Sequence, residues 1–242
     1  MFPAGQRETR GRMKTAKTAA PARSKILIVD DHPMMREGLA QLIAHQADMT
    51  VCGEAGDAKD ALEKVRLLKP NLVLADITLP GRNGLELIKD IQALEPGVAV
   101  LVISMHDEAF YAERVLRAGG RGYVMKQEGG KKIMEAIRQV SAGNIFVSEK
   151  MSAKILEIFS GHRPEEAQSP VQTLTDREFE IFQLIGQGMG TKELAVQLHL
   201  SPKTVEVHRA NIKAKLKINN MNELIRFAVR WAESDPANGR RE

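Results

Sequence analysis

The sequence predicts an α/β domain, a doubly wound sheet of five parallel strands, followed by a small all-helical domain. Three observations carry this expectation. Five short apolar runs alternate with amphipathic stretches over residues 25–141. From residue 173 onward only helical periodicities remain. The length of 242 residues suits two domains better than one, because typical domains run to roughly 100–150 residues.

The apolar runs occupy 25–30, 49–55, 71–76, 98–104 and 122–125. They are short and rich in Val, Ile and Leu, as strands buried in a parallel sheet must be. Helical patterns fill 33–46, 57–68, 84–94, 107–118 and 130–141. Strands alternating with helices imply a doubly wound sheet with right-handed crossovers and functional loops at the carboxyl ends of the strands, and the flavodoxin-like order 2-1-3-4-5 is the expected one. Residues 148–160 form an amphipathic helical stretch, and GHRPEEAQSP over 161–170 has the composition of a linker. Thr175 and Glu178 form a capping box that opens a helix to about Gln187. Gly188 and Gly190 end it, and Thr191 starts a short helix to about Leu198. Ser201 and Pro202 supply an N-cap and a first-turn proline for a helix to about Leu216. A last helix covers about 222–233. The expected organisation is a disordered basic tail over 1–24, the α/β domain over 25–147, a linker with an amphipathic helix over 148–172, the helical domain over 173–234 and a flexible end over 235–242.

Composition excludes several classes. Hydrophobic residues at 43% and charged residues at 27% are unlike a disordered or collagen-like chain. Cys52 is the single cysteine, so there is no internal disulfide and no thiolate zinc site. No apolar run reaches the ~18 residues that span a bilayer, and no secretory h-region stands at the N-terminus. A cytoplasmic protein without a membrane partner is the expectation. The net charge of +4 is uneven: +5 over 1–24, −2 over 25–147, −1 over 148–172 and +2 over 173–242. The high pI therefore reflects the tail and is poor support for DNA binding by itself.

The chemistry sits at strand ends. The first strand ends in Asp30 and Asp31 and the third in Asp76. In the 2-1-3-4-5 order these strands are neighbours, so three carboxylates meet at a topological switch point. Such carboxylates repel one another unless a cation neutralises them, and an all-oxygen site suits Mg²⁺. The fourth strand ends in the hydroxyl of Ser104, and Lys126 follows the fifth. A carboxylate nucleophile, a divalent metal, a hydroxyl and an ammonium together can accept a phosphoryl group and stabilise its oxygens. Taken singly, a strand-end Asp or Ser104 is as well explained as a helix cap, and Lys126 as a surface residue.

The stretches IVDDHPMMREGL, LVLADITLPGRNGLEL, LVISMH and GYVMK resemble the receiver domain of two-component response regulators over about 25–145. The resemblance implies phosphorylation of Asp76 by a sensor histidine kinase. It implies Mg²⁺ held by Asp31, Asp76 and the backbone carbonyl of Thr78, with Asp30 acting through water. It implies that Ser104 and Lys126 bind the phosphoryl group, that Tyr123 is a rotameric switch, and that Pro80-Gly81 turns the chain after the phosphorylated strand. Gln127 stands where many receivers carry a cis proline. An aspartyl-phosphate phosphatase also uses a strand-end Asp but needs a second Asp two residues on, where this chain has Thr78. The expected activity is therefore limited to the chain's own phosphoryl transfer and dephosphorylation, not an enzyme's turnover of other substrates.

Residues 173–234, with LTDREFEIFQLIGQGMGTKELAVQLHLSPKTVEVHRANIKAKL, resemble the helix-turn-helix domain of the NarL/FixJ, or LuxR-type, regulators. The resemblance implies binding to double-stranded promoter DNA. Periodicity sets Val205, Ile212 and Leu216 on an inward face and Lys203, Glu206, Val207, Ala210 and Lys213 on the opposite, groove-facing one. Glu206 can accept from a cytosine amino group, and Val207 and Ala210 can touch thymine methyls. Thr191, Lys192, Lys203, Thr204, His208 and Arg209 are phosphate-contact candidates, with packing an equal alternative for His208. An adaptor whose helix-turn-helix no longer binds DNA is a third reading. The last helix carries two apolar stripes, one with Leu224, Phe227, Ala228 and Trp231, the other with Ile225 and Val229. The surplus stripe fits either a homodimer seam, as the resemblance implies, or deeper packing into its own domain. The opposite charges of the two halves suggest that they dock through the recognition-helix face, with Lys203 and Lys213 meeting the acidic domain. Phosphorylation would then turn Tyr123 inward and remodel the 107–125 surface, which would also serve the dimer.

Overall fold

The computed structural model describes residues 23–80, 82–159 and 170–233. The expectations for the basic tail, for Gly81, for most of the 161–170 linker and for the C-terminal end lie outside those residues. Strands β1 (Ser24–Val29), β2 (Met49–Ala55), β3 (Leu72–Ala75), β4 (Ala99–Ser104) and β5 (Gly122–Met125) form one parallel sheet in the order β2-β1-β3-β4-β5. Successive side chains leave a strand on opposite faces. Ile26 and Ile28 of β1 therefore join a core with α1 (Pro33–Ala44) and α5 (Gly129–Ser141). Leu27 and Val29 join a second core with α2 (Ala58–Leu68), α3 (Gly84–Leu94) and α4 (Glu108–Arg117). Asp57, Asn83 and Asp107 cap α2, α3 and α4 with side-chain oxygens that accept backbone N–H bonds. A helix α6 (Glu149–Phe159) follows and packs on α4.

The helical half comprises α7 (Asp176–Gly186), α8 (Thr191–Gln197), α9 (Pro202–Leu216) and α10 (Met221–Glu233). The Thr175–Glu178 capping box and the Ser201 cap are both formed. His199 takes a left-handed φ of 50°, which turns the chain between α8 and α9. Val205 and Ile212 are fully buried and Leu216 half-buried, so α9 packs through the expected face.

The two halves dock, but not through the recognition helix. Lys203, Glu206, Val207 and Ala210 remain exposed. Contact is made instead by α4 with α7 and α10. The Phe110 ring lies 4.5 Å from Trp231 and the Tyr111 ring 5.3 Å from Phe179. Tyr111 donates to Gln183. Arg114 lies 4.6 Å over the Phe179 ring and donates to the Leu174 carbonyl and Asp176 at 3.0 Å each. Lys89 pairs with Asp176 at 2.8 Å. One apolar cluster thus runs from the sheet into the helical half. Net charge pointed to the wrong face because burying aromatic area outweighs weak pairing between exposed charges.

Candidate functional site: an acidic pocket and a recognition helix

The carboxyl ends of β1, β3, β4 and β5 place Asp30, Asp76, Ser104 and Lys126 around one pocket. Asp30, Asp76 and Ser104 are buried, whereas Asp31 is half-buried. Local packing fixes the end of β3: a Cβ on Gly84 would stand 2.3 Å from the Asp76 carbonyl oxygen, so only glycine lets α3 start there. Lys126 Nζ lies 2.6 Å from Asp30 Oδ2 and 2.7 Å from Asp76 Oδ2. Burial raises the Asp76 pKa, with Lys126 opposing it. Burial also works against the Lys126 charge, but Asp76 and Asp30 outweigh it and its pKa stands above the ordinary value. The Lys126–Gln127 bond is trans and opens a short 3-10 turn over Lys126–Glu128.

Ligand atoms of Asp30, Asp31, His32 and Asp76 lie within 4.8 Å of one another. Asp31 Oδ1 is buried without a hydrogen bond, although His32 Nδ1 approaches it to 2.7 Å. Thr78 donates its N–H to Asp76 at 3.4 Å, and its hydroxyl meets His106 Nε2 at 3.0 Å. Tyr123 is buried and donates to the His106 carbonyl at 2.8 Å, so its ring points inward. Burial pushes its hydroxyl well above the ordinary pKa. Burial, helped by Lys126, pushes His106 down to about 4 and keeps it neutral at pH 7. His32 and His106 escaped sequence reasoning. Each stands two residues beyond a strand-end site residue, and that proximity was the available signal.

On α9 the residues expected to face the groove emerge as a row. Val207 is 53% exposed, Lys203, Glu206 and Ala210 are exposed, and Lys213 is half-buried. Lys192 is exposed on α8, and Thr204 bonds the Ser201 hydroxyl at 2.8 Å. Two of the phosphate-contact candidates are less exposed. Arg209 is only 8% exposed and donates to Thr191 and to Glu206. His208 is half-buried, with an unbonded Nδ1, and burial together with Arg177 lowers its pKa while Glu178 and Glu86 oppose. It belongs to the packed side of α9. Within α10, Leu224 and Ala228 are buried and Phe227 and Trp231 half-buried, while Ile225 is exposed and Val229 half-buried. The second stripe is thus left partly open.

Comparison with known proteins agrees with both halves. Residues 26–138 match the response regulator receiver domain, and residues 172–228 match the bacterial regulatory proteins of the luxR family. The oxygen regulatory protein NreC of Staphylococcus carnosus is 34% identical over 210 residues, covering 85% of this chain and 97% of that protein. A two-component response regulator of the LuxR family from Aurantimonas sp. SI85-9A1 is 32% identical, with a TM-score of 0.53, over 57% of this chain and 99% of that one. The RcsB response regulator of Salmonella typhimurium shares the fold with a TM-score of 0.63 at 22% identity, over 86% of this chain and 98% of its own. A receiver that partners a histidine kinase, an acidic pocket of the kind that holds a divalent cation and a DNA-binding helix-turn-helix are therefore joined in one transcription factor: the chain belongs to the NarL/FixJ (LuxR-type) family of two-component response regulators.

Proposed function

We propose that Asp76 takes a phosphoryl group from a sensor histidine kinase in a Mg²⁺-dependent reaction, and that phosphorylation controls dimerisation and promoter binding in the cytoplasm. The observation that carries the reading is the Lys126 ammonium between Asp30 and Asp76, with the Asp31 carboxylate beside them. An Asp76 oxygen attacks the phosphorus of the phosphohistidine. The O–P bond forms as the P–N bond breaks, the imidazole leaves, and an acyl phosphate remains on Asp76. Lys126 can leave one carboxylate for a phosphoryl oxygen, and Ser104 offers its hydroxyl to another. No helix among the described residues is long and apolar enough to cross a membrane.

The donor set fits a hard cation. The carboxylates of Asp30, Asp31 and Asp76 gather within 4.8 Å, with His32 Nδ1 2.7 Å from Asp31 Oδ1, and three clustered carboxylates suit a hard cation. Asp30, Asp31 and Asp76 would hold Mg²⁺, which would supply positive charge against the approaching phosphoryl oxygens. Asp31→Ala is expected to stop labelling by a phosphodonor. It removes a carboxylate that Lys126 does not pair, so thermal stability without metal stays level or rises. Labelling of the parent chain that continues undiminished in EDTA would overturn the metal role.

For DNA, the exposed Lys203 is assigned to a phosphate and the exposed Val207 to a base edge. Lys203→Ala is expected to weaken binding to all duplexes alike and to lower the slope of log K against log salt by about 0.9. Val207→Ala is expected to change preference at one base step by roughly 1 kcal/mol. A selected-site profile unchanged by Val207→Ala removes that residue from base readout.

A further inference from the structure

We infer that Thr191 and Arg209 are positioning residues for Glu206, holding its carboxylate to accept from a cytosine amino group, and are not contacts to DNA phosphates. The inference rests on the proposed reading of α9 as the base-contacting helix. Thr191, in the first turn of α8, donates its hydroxyl to Glu206 Oε1 at 2.7 Å. Arg209 Nη1 donates to the same oxygen at 3.2 Å and to the Thr191 hydroxyl. A hydroxyl has one proton. Thr191 gives it to Glu206 and uses a lone pair for Arg209, so no side-chain proton remains for a phosphate. Arg209 is withdrawn from the surface: its side chain is 10% exposed, against 59% for Glu206, and its Nη1 serves both Thr191 and Glu206.

The two donors converge on Oε1, which leaves Oε2 for a partner outside the chain. The Thr191 bond, ahead of a weaker opposing effect of burial, holds the Glu206 carboxyl below its usual range, so it is ionised and only accepts. Its partner in the major groove must then donate. Cytosine N4 donates without a neighbouring acceptor on the same base, whereas the adenine amino group adjoins the N7 acceptor, which repels a carboxylate. A long exposed glutamate would otherwise lose rotamer freedom on binding. Here Thr191 and Arg209 impose that order beforehand, across the turn between two helices.

The test uses the full chain, treated with a phosphodonor, in selection from randomised duplexes. The enriched duplex and its single C·G-to-T·A variant are then titrated at several salt concentrations. The parent chain is expected to prefer cytosine at one position, and Glu206→Ala to reduce that preference about ten-fold. Thr191→Val is expected to reduce it about five-fold with the salt slope unchanged, since about 1 kcal/mol of rotamer ordering returns as a cost. Thr191→Ser is expected to restore the preference. Arg209→Lys keeps the charge but loses the fork, and the same loss of preference is expected at constant slope. If Thr191→Val instead weakens both duplexes equally and lowers the slope by about 0.9, Thr191 is a phosphate contact and the inference fails. It fails equally if Thr191→Val or Arg209→Lys matches the parent. A parent-like profile from Glu206→Ala overturns the base-contact reading of that residue as well, which separates the two failures.

Discussion

An Asp76→Asn chain is expected to fold as the parent does and to take no label from a phosphodonor in Mg²⁺. The substitution is nearly isosteric, so the close approach of Gly84 to the residue 76 backbone is undisturbed. An amide is a poor nucleophile, however, and Asp76 stands alone at the end of β3. Asp30 is also buried and also 2.6 Å from Lys126, so it is the alternative acceptor that Lys126 already pairs. Acid-labile label on the Asp76→Asn chain would transfer the role to that neighbour. Stability is expected to change little, because the amide oxygen can still accept from Lys126 while burial of a charge at this position is relieved. Circular dichroism melts beside the labelling assay separate loss of chemistry from loss of fold.

The second large effect lies at the docked surface. Phe110→Ala with Arg114→Ala removes the ring against Trp231 and the bonds from Arg114 to Val171, Leu174 and Asp176. An aromatic contact and a charge-assisted hydrogen-bond group together are worth about 3 kcal/mol at a partly exposed site. That shifts the docked-to-open ratio by about a hundred-fold. The unphosphorylated double variant is expected to dimerise and to bind a promoter duplex at least about ten-fold tighter than the unphosphorylated parent. It should approach the affinity of residues 170–242 alone. Because the recognition face is already exposed in the docked chain, the gain must come through α10 and dimerisation. Equal affinity of variant and parent would mean that docking does not restrain DNA binding.

Strands and helices were legible because each rests on local signals. Short Val-, Ile- and Leu-rich runs, period-3.6 patterns, the Thr175 and Ser201 caps and Gly breaks placed the strands and α-helices to within about two residues, the normal scatter of such boundaries, but not the 3-10 turns at Lys126–Glu128 and Pro170–Thr173. Convergence of Asp30, Asp31 and Asp76 followed from strand order alone. Arg209 was not legible, since its burial depends on Thr191, which lies 18 residues away on another helix. Charge asymmetry misled on docking. A better signal was present: aromatics are only 4% of the chain, yet Phe110, Tyr111, Phe179, Phe182 and Trp231 gather in one cluster of rings. His106 reaches Tyr111 at 5.1 Å between ring centroids, a contact made across the start of α4 that no linear motif announces. Through it the pocket at Thr78 touches the surface that holds Gln183.

The apolar cluster shared by the sheet and the helical half also bears on dose. Opening the chain brings Phe110, Phe179 and Trp231 toward water, and at about 25 cal/mol per Å² such area does not stay uncovered without cost. Under the proposed reading, a second copy covers part of it, beginning with the half-open Ile225 and Val229 stripe of α10. The active species then scales with the square of the chain's concentration, whereas the docked species scales with its first power. Copy number becomes an input beside the kinase signal. At low abundance the phosphorylated chain folds back on itself, and at high abundance it pairs, so the same degree of phosphorylation yields a steeper transcriptional response as the protein accumulates.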